Sequence, residues 1–338
     1  MDAILHNFLL NLPTIILLII GAFSLFTLSK GADILVNQAV GLSIRWGVPK
    51  IIIGATIVSL GTTLPEASVS VLAAINGNPD LALGNAVGSI IADTGLIIGL
   101  SSLIGKLPLD KGTIDKQGRI QYLAGVLLVL VSLPFISSGP DGNISQAVGI
   151  MFLVLLASYI YYSIKLAKNT PGEEITLDEV PENPEEKPII VQVLMLVLGI
   201  TLVIISSKVL IPTVEIGAIR IGIPQSIIAA TLVAFGTSLP ELITAVTAVR
   251  KGHGELAIGN VIGADILNVL FVVGGAAAAT SQGLSVPQNF YKLQFPTMLI
   301  ILFAFRYFSK KGSDIDKKEG IFLLGMYIVY IILNYTWI

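Results

Sequence analysis

The chain has 338 residues, of which 54% are apolar and only 12% charged, half the charged share of an ordinary soluble domain. Twenty Lys and Arg against twenty-two Asp and Glu leave a formal charge of −2, and the mean hydropathy is +0.86. This composition argues against a nucleic-acid binder, which needs a dense basic face, against a soluble enzyme, which needs polar residues to cover its surface, and, outside one segment, against intrinsic disorder.

Cys is absent, so there is no disulfide, thiolate metal site or Cys nucleophile. The first residues, MDAILHN, contain Asp2 and no Lys or Arg. A signal peptide would start positive, so the apolar stretch that follows reads as a retained membrane helix.

A spanning helix needs about 20 largely apolar residues. Ten segments qualify: 8–42, 50–76, 79–105, 120–138, 143–167, 188–218, 225–250, 254–280, 288–308 and 319–337. The first and sixth exceed a perpendicular span and are expected to be tilted, or broken near Lys30 and Lys208. Between the fifth and sixth lies NTPGEEITLDEVPENPEEK, residues 169–187, with seven acids and three Pro. It reads as a solvated linker between a first half, 1–168, and a second half, 188–338. The expected fold class is an all-α polytopic membrane protein of ten helices in two five-helix halves, with no sheet.

Lys and Arg set the orientation. Loops on the linker's side carry sixteen of them and the opposite side two, Arg220 and Lys292, with Lys30 and Lys208 inside helices. The linker is therefore expected to be cytoplasmic and both termini outside. The membrane is expected to be the cell (inner) membrane.

The halves repeat each other. Residues 54–99 align with 229–274 without a gap at an offset of 175, and eighteen of the 46 pairs are identical. The core pairs GATIVSLGTTLPE with AATLVAFGTSLPE, and LALGNAVGSIIAD with LAIGNVIGADILN. With five helices per half, the second copy enters the membrane inverted, as in secondary transporters whose substrates bind at the repeat interface.

Glu66 and Glu241 lie inside otherwise apolar helices, where a carboxylate costs roughly 2.5–3.5 kcal/mol and marks function by default. Pro65 and Pro240 precede them and deprive the carbonyls near Gly61, Thr62, Gly236 and Thr237 of donors. Such oxygens can coordinate cations. Helical spacing puts positions 59, 62/63 and 66 on one face, and likewise 234, 237/238 and 241. The next helix adds Asn85, Ser89 and Asp93, and its copy adds Asn260, Ala264 and Asn268. Gly84, Gly88, Gly259 and Gly263 would allow close helix approach. Every candidate ligand is oxygen, and neither His lies in a core block, which suits a hard cation such as Ca²⁺ or Na⁺. Asp265 aligns with Ile90, off the shared face, and His253 sits in a loop expected to face solvent.

These two blocks, G-T-[ST]-L-P-E followed by G-N-x-x-G-[SA], resemble the α-repeats of the cation/calcium exchanger superfamily, and in particular the compact prokaryotic sodium/calcium exchangers. The resemblance implies that Glu66 and Glu241 bind Ca²⁺ centrally, joined by the carbonyls of Thr62 and Thr237. It implies flanking sodium sites at Thr63 and Ser59, at Ser238 and Ala234, and at the hydroxyl of Ser89. In archaeal exchangers of this type the first repeat carries Asn and the second Asp at the central position. Here the pair is exchanged, as Asp93 and Asn268, and Ala264 replaces an expected Ser. The implied activity is electrogenic exchange of Na⁺ for Ca²⁺, both as transported substrates and with no organic cofactor. The alternative is H⁺/Ca²⁺ exchange, whose members tend to carry G-N-x-x-E; Gly88 and Gly263 stand there instead. A channel or a membrane hydrolase fits less well, since no His or nucleophile pairing lies in a predicted membrane core.

Overall fold

A computed structural model describes residues 2–109, 111–134, 142–169, 188–222 and 236–336. Ala234, the start of the seventh predicted span and nearly all of the acidic segment lie outside the described residues. The helices are α1 Asp2–Leu10, α2 Thr14–Trp46, α3 Lys50–Thr62, α4 Leu64–Ile75, α5 Pro79–Ile104, α6 Lys111–Ser132, α7 Gln146–Asn169, α8 Ile189–Arg220, α9 Leu239–Arg250, α10 Gly254–Ala278, α11 Phe295–Lys311 and α12 Lys317–Thr336. Helix falls on each of the ten predicted spans. Helices α2, α5, α7, α8 and α10 are each long and apolar enough to cross a bilayer, and α3 with α4 makes a sixth span bent by 45°. The protein is an all-α polytopic membrane protein.

The repeat extends to the ends of the elements. Helix α2 starts at Thr14 and α8 at Ile189, 175 residues on. Both finish on related sequence, Ile44-Arg45-Trp46-Gly47-Val48-Pro49 and Ile219-Arg220-Ile221-Gly222-Ile223-Pro224. Gly47 and Gly222 take positive φ, 63° and 86°, which only Gly adopts without cost.

Helices α2 and α8 pack lengthwise against each other, and their contacts run in opposite directions. Gly21 meets Thr213, Thr27 bonds Ser206 at 2.7 Å, Gly31 meets Leu202, and Gly41 meets Gln192. Two repeat-equivalent helices lying antiparallel make the repeat an inverted one. The approach depends on glycine: a Cβ at Gly199 would lie 2.7 Å from the Leu35 nitrogen, and one at Gly31 would lie 2.8 Å from Leu202 Cβ. The outward faces of the pair are apolar, with Ile15, Phe23, Ile190 and Leu194 exposed as lipid would require.

Three expectations need correction. The first predicted span, 8–42, is divided: α1 ends at Leu10 and α2 begins after Pro13, which disfavours helix at the residue before it. Arg220 secures the break by donating to the carbonyls of Leu10 and Leu12 and to the Thr14 hydroxyl. Helices α2 and α8 are themselves unbroken at Lys30 and Lys208. Finally, sheet is present. β1 Leu107–Pro108 pairs antiparallel with β4 Asp314–Ile315, and β2 Gly142–Ile144 with β3 Leu284–Val286. Leu107, Ile315, Ile144, Leu284 and Val286 are buried. Extended chain beneath the helix ends satisfies its backbone groups by pairing.

The core is built around α10, which is almost wholly buried. It touches α3 backbone to backbone: added Cβ atoms at Gly54, Gly259 and Gly263 would lie 2.5, 2.2 and 2.5 Å from the carbonyls of Leu256, Ile51 and Ala55. Gly84 and Gly88 do not repeat this among the described residues. A Cβ at Gly84 would come no closer than 3.9 Å to Phe290, and Gly88 has open space.

Candidate cation site

The G-T-T-L-P-E block folds as a broken helix. Thr63, at φ −80° and ψ −5°, closes the first piece, and Pro65 occupies the first turn of the second. Ser238, at φ −85° and ψ 8°, does the same before Leu239 and Pro240. Neither Pro can donate to the carbonyl four residues back, Gly61 or Gly236. Gly236 accepts a 3.4 Å bond from Leu239 N instead. Both glutamates thereby stand in the first turn of a helix, where the positive end of the backbone dipole favours a carboxylate.

A π-helical turn opens at Asp93 in α5 and another at Asn268 in α10, again 175 residues apart. Single π turns re-aim side chains and are frequent at functional sites. Three carboxylates, Glu66, Glu241 and Asp93, share one interior region. Glu66 lies within electrostatic reach of Glu241 and Asp93, and Asp93 within reach of Glu241 and Asp265. The contacts cross between repeats: Glu241 faces Thr62 and Thr63, and Asp93 faces Ser238.

The region is deeply buried. Glu66 and Glu241 are each 1% exposed, as are Asp93 and Asn268. Among the described residues, no atom completes a hydrogen bond to any of the four oxygens of the two glutamates, nor to Asp93 Oδ1, Asn268 Oδ1, Thr63 Oγ1 or Ser89 Oγ. Buried polar atoms are normally paired, and a buried carboxylate without a partner costs several kcal/mol. An unsatisfied set composed of carboxylate, amide and hydroxyl oxygens matches what a hard cation requires.

The remaining predicted residues fall around this set. Ser59, Thr62, Thr63, Ser89 and Ser238 are all buried. Thr62 Oγ1 is 3.5 Å from Asn260 Oδ1, which links the repeats. Asn85 holds the Glu66 main chain, donating to its carbonyl at 3.3 Å and to Ser70 Oγ at 3.0 Å. Thr237 is half-buried and lines a cavity of about 490 Å³ together with Pro65 and Pro240. Ala234 lies outside the described residues. His253 is half-buried rather than in solvent, because its main chain turns the corner into α10: His253 N donates to Ala248 O at 2.8 Å.

Asp265 was not expected to matter. It is 2% exposed, and Oδ2 accepts from Thr94 at 2.5 Å and Gln121 at 2.6 Å. A second polar group adjoins on α6 and α7, where the Tyr159 hydroxyl lies 3.0 Å from the Ala55 carbonyl and 3.1 Å from Gln117 Oε1, with its one proton to share between them. Gln121, at the start of the apolar predicted span 120–138, with Gln117 one turn before it, was the available signal.

The sequence profile of the sodium/calcium exchanger protein family matches residues 16–165 and 191–336. The inner membrane protein YrbG of Escherichia coli is 31% identical over 323 residues, covering 94% of this chain and 96% of its own. The sodium/calcium exchanger MaX1 of Methanosarcina acetivorans is 28% identical over 332 residues, covering 90% and 94%. The solved structure of the sodium-calcium exchanger NCX_Mj superposes with a TM-score of 0.78 at 26% identity, covering 94% of this chain and 98% of that one.

Proposed function

Because this chain belongs to the sodium/calcium exchanger protein family, we propose that it is an antiporter that exchanges Na⁺ for Ca²⁺ across the cell membrane by alternating access. The observation that carries the reading is the pair Glu66 and Glu241: two buried carboxylates at inverted helix breaks, with none of their four oxygens hydrogen-bonded to a described residue. Their charge of −2 matches one Ca²⁺, and monovalent ions fill the same oxygens in turn.

In this reading Glu66 and Glu241 bind Ca²⁺ with the carbonyls of Thr62 and Thr237. Thr63 and Ser59, Ser238 and Ala234, and Ser89 serve flanking Na⁺ sites, and Asp93 and Asn268 complete the centre. The linker side is cytoplasmic by its Lys and Arg excess. The 490 Å³ cavity reaches Thr237 and Pro240 from the end of the molecule where α1 lies, so it serves as the outer access route.

Binding is the source of coupling. A carrier that reorients only when its carboxylates are neutralised cannot return empty, so one ion must leave in exchange for another. Purified protein in liposomes tests this. An outward Na⁺ gradient should drive Ca²⁺ uptake, and a pH gradient of equal size without Na⁺ should not. Uptake driven by the pH gradient alone would assign the chain to H⁺/Ca²⁺ exchange.

A further inference from the structure

The cavity that reaches Thr237 has charged groups on its wall that the proposed ion site does not use. Lys208 and Glu215 both line it from α8, with Pro65 and Pro240 on the opposite wall and His6 of α1 facing the same space. Lys208 and Glu215 are seven residues apart, about two turns or ~10 Å along the helix. Both are half-buried. Neither forms an ion pair or hydrogen bond with a described residue. A Lys on the wall of a cation's route, with no ion pair among the described residues, projects its potential into that space.

We propose that Lys208, opposed by Glu215, is a specificity-determining residue that discriminates ions by valence as they approach through this cavity. The inference rests on the exchange reading above. The potential of a fixed charge acts on an ion in proportion to that ion's charge. Ca²⁺ therefore meets twice the barrier from Lys208 that Na⁺ meets. The result is a mouth that admits Na⁺ in preference to Ca²⁺ on one face, which favours Na⁺ entry and Ca²⁺ release there. Glu215, farther along the same helix, acts with the opposite sign. Neither residue touches the bound ion, so both act on access and apparent affinity, not on the maximal rate.

Valence supplies the test. Neutralising Lys208 should multiply local Na⁺ by some factor and local Ca²⁺ by its square: about threefold against about sevenfold for a potential of about one kT. Full-length Lys208→Gln, Lys208→Arg and Glu215→Gln are reconstituted, and the KM for Ca²⁺ and for Na⁺ is measured separately on each membrane face. Lys208→Gln should lower both KM values on the cavity face in that squared relation, with the maximal rate unchanged and the effect shrinking as choline chloride is raised. Lys208→Arg should behave as the native protein, and Glu215→Gln should shift both KM values upward. Equal shifts for the two ions, equal shifts on both faces, or unchanged KM in Lys208→Gln would overturn the inference while leaving exchange intact. A native protein that transports neither ion would overturn the exchange reading, and this inference with it.

Discussion

Replacing one oxygen of Glu66 by an amide nitrogen keeps the side chain's shape and removes its charge. Neither oxygen is hydrogen-bonded to a described residue, so in the proposed function that charge serves the ion alone. Glu66→Gln and Glu241→Gln should each reduce Ca²⁺ flux by on the order of 100-fold or more, because ligand charge sets affinity at such sites. Folding should not suffer, since removing an unpaired buried charge relieves desolvation. Near-native flux from either folded variant would refute the assignment. Asp265 is expected to behave differently. Asp265→Ala strands Thr94 and Gln121 and should lower stability by about 1–3 kcal/mol, read as a drop in thermal unfolding temperature in detergent. Asp265→Asn keeps an acceptor oxygen and should lose less. Glu66, Glu241, Asp93 and Asn268 were legible because a repeated polar residue in apolar sequence has few explanations. The surroundings of Asp265 were not, because Gln121 is 144 residues away in the chain. No spacing rule reports a contact of that kind.

Among the elements, α2 and α8 are the pair expected to move in the proposed exchange. They pack on each other through Gly31 and Gly199 and carry none of the buried carboxylates. Smooth glycine contact within the pair and separate packing against the core favour motion of the two helices as a unit, the sliding that alternating access requires. Crosslinks can divide the two cases, free of background because the chain has no Cys. A disulfide between Thr27→Cys and Ser206→Cys, whose native hydroxyls are 2.7 Å apart, lies inside the pair and should leave exchange intact. A short thiol crosslinker between Asn37→Cys on α2 and Lys251→Cys just beyond α9 joins pair to core and should stop it. Exchange surviving the second link would place the motion elsewhere. Helix positions were legible from apolar length, and the breaks at Thr63 and Ser238 from the Pro that follows. The division at Pro13 was hidden because α1 is as apolar as α2. The strands were hidden because segments of two or three residues carry no periodicity.

Across the whole molecule the two ends differ. Lys251 pairs with Asp33 at 3.0 Å and donates to Asn37 at 2.9 Å, tying core to moving pair at one end. The repeat-equivalent positions, 175 residues away, are Lys208 for Asp33 and Asn76 for Lys251, and no such pair forms there among the described residues. The bond is partly exposed and worth about 1 kcal/mol or less, and under alternating access it is expected to stabilise one of the two conformations over the other. Asp33→Asn should therefore shift the resting population up to about fivefold toward the state open at that end. Reactivity of a single Cys placed at Asn37 should rise in this variant, and an unchanged rate would show that the pair does not bias the equilibrium.

The two small ladders have a different consequence. Each joins a strand from before the acidic segment to one from after it: β1 with β4, and β2 with β3. Helices α2 and α8, and α3 and α10, are joined across the same divide. The polypeptide is thus stitched together at both ends and through its middle by contacts that do not depend on covalent continuity. Two separate chains, 1–169 and 188–338, expressed together should find each other, purify through a tag on either, and exchange ions as the single chain does. Fragments that fail to co-purify would show that covalent connection is needed for assembly. If they succeed, the architecture is that of a heterodimer whose two subunits share one gene.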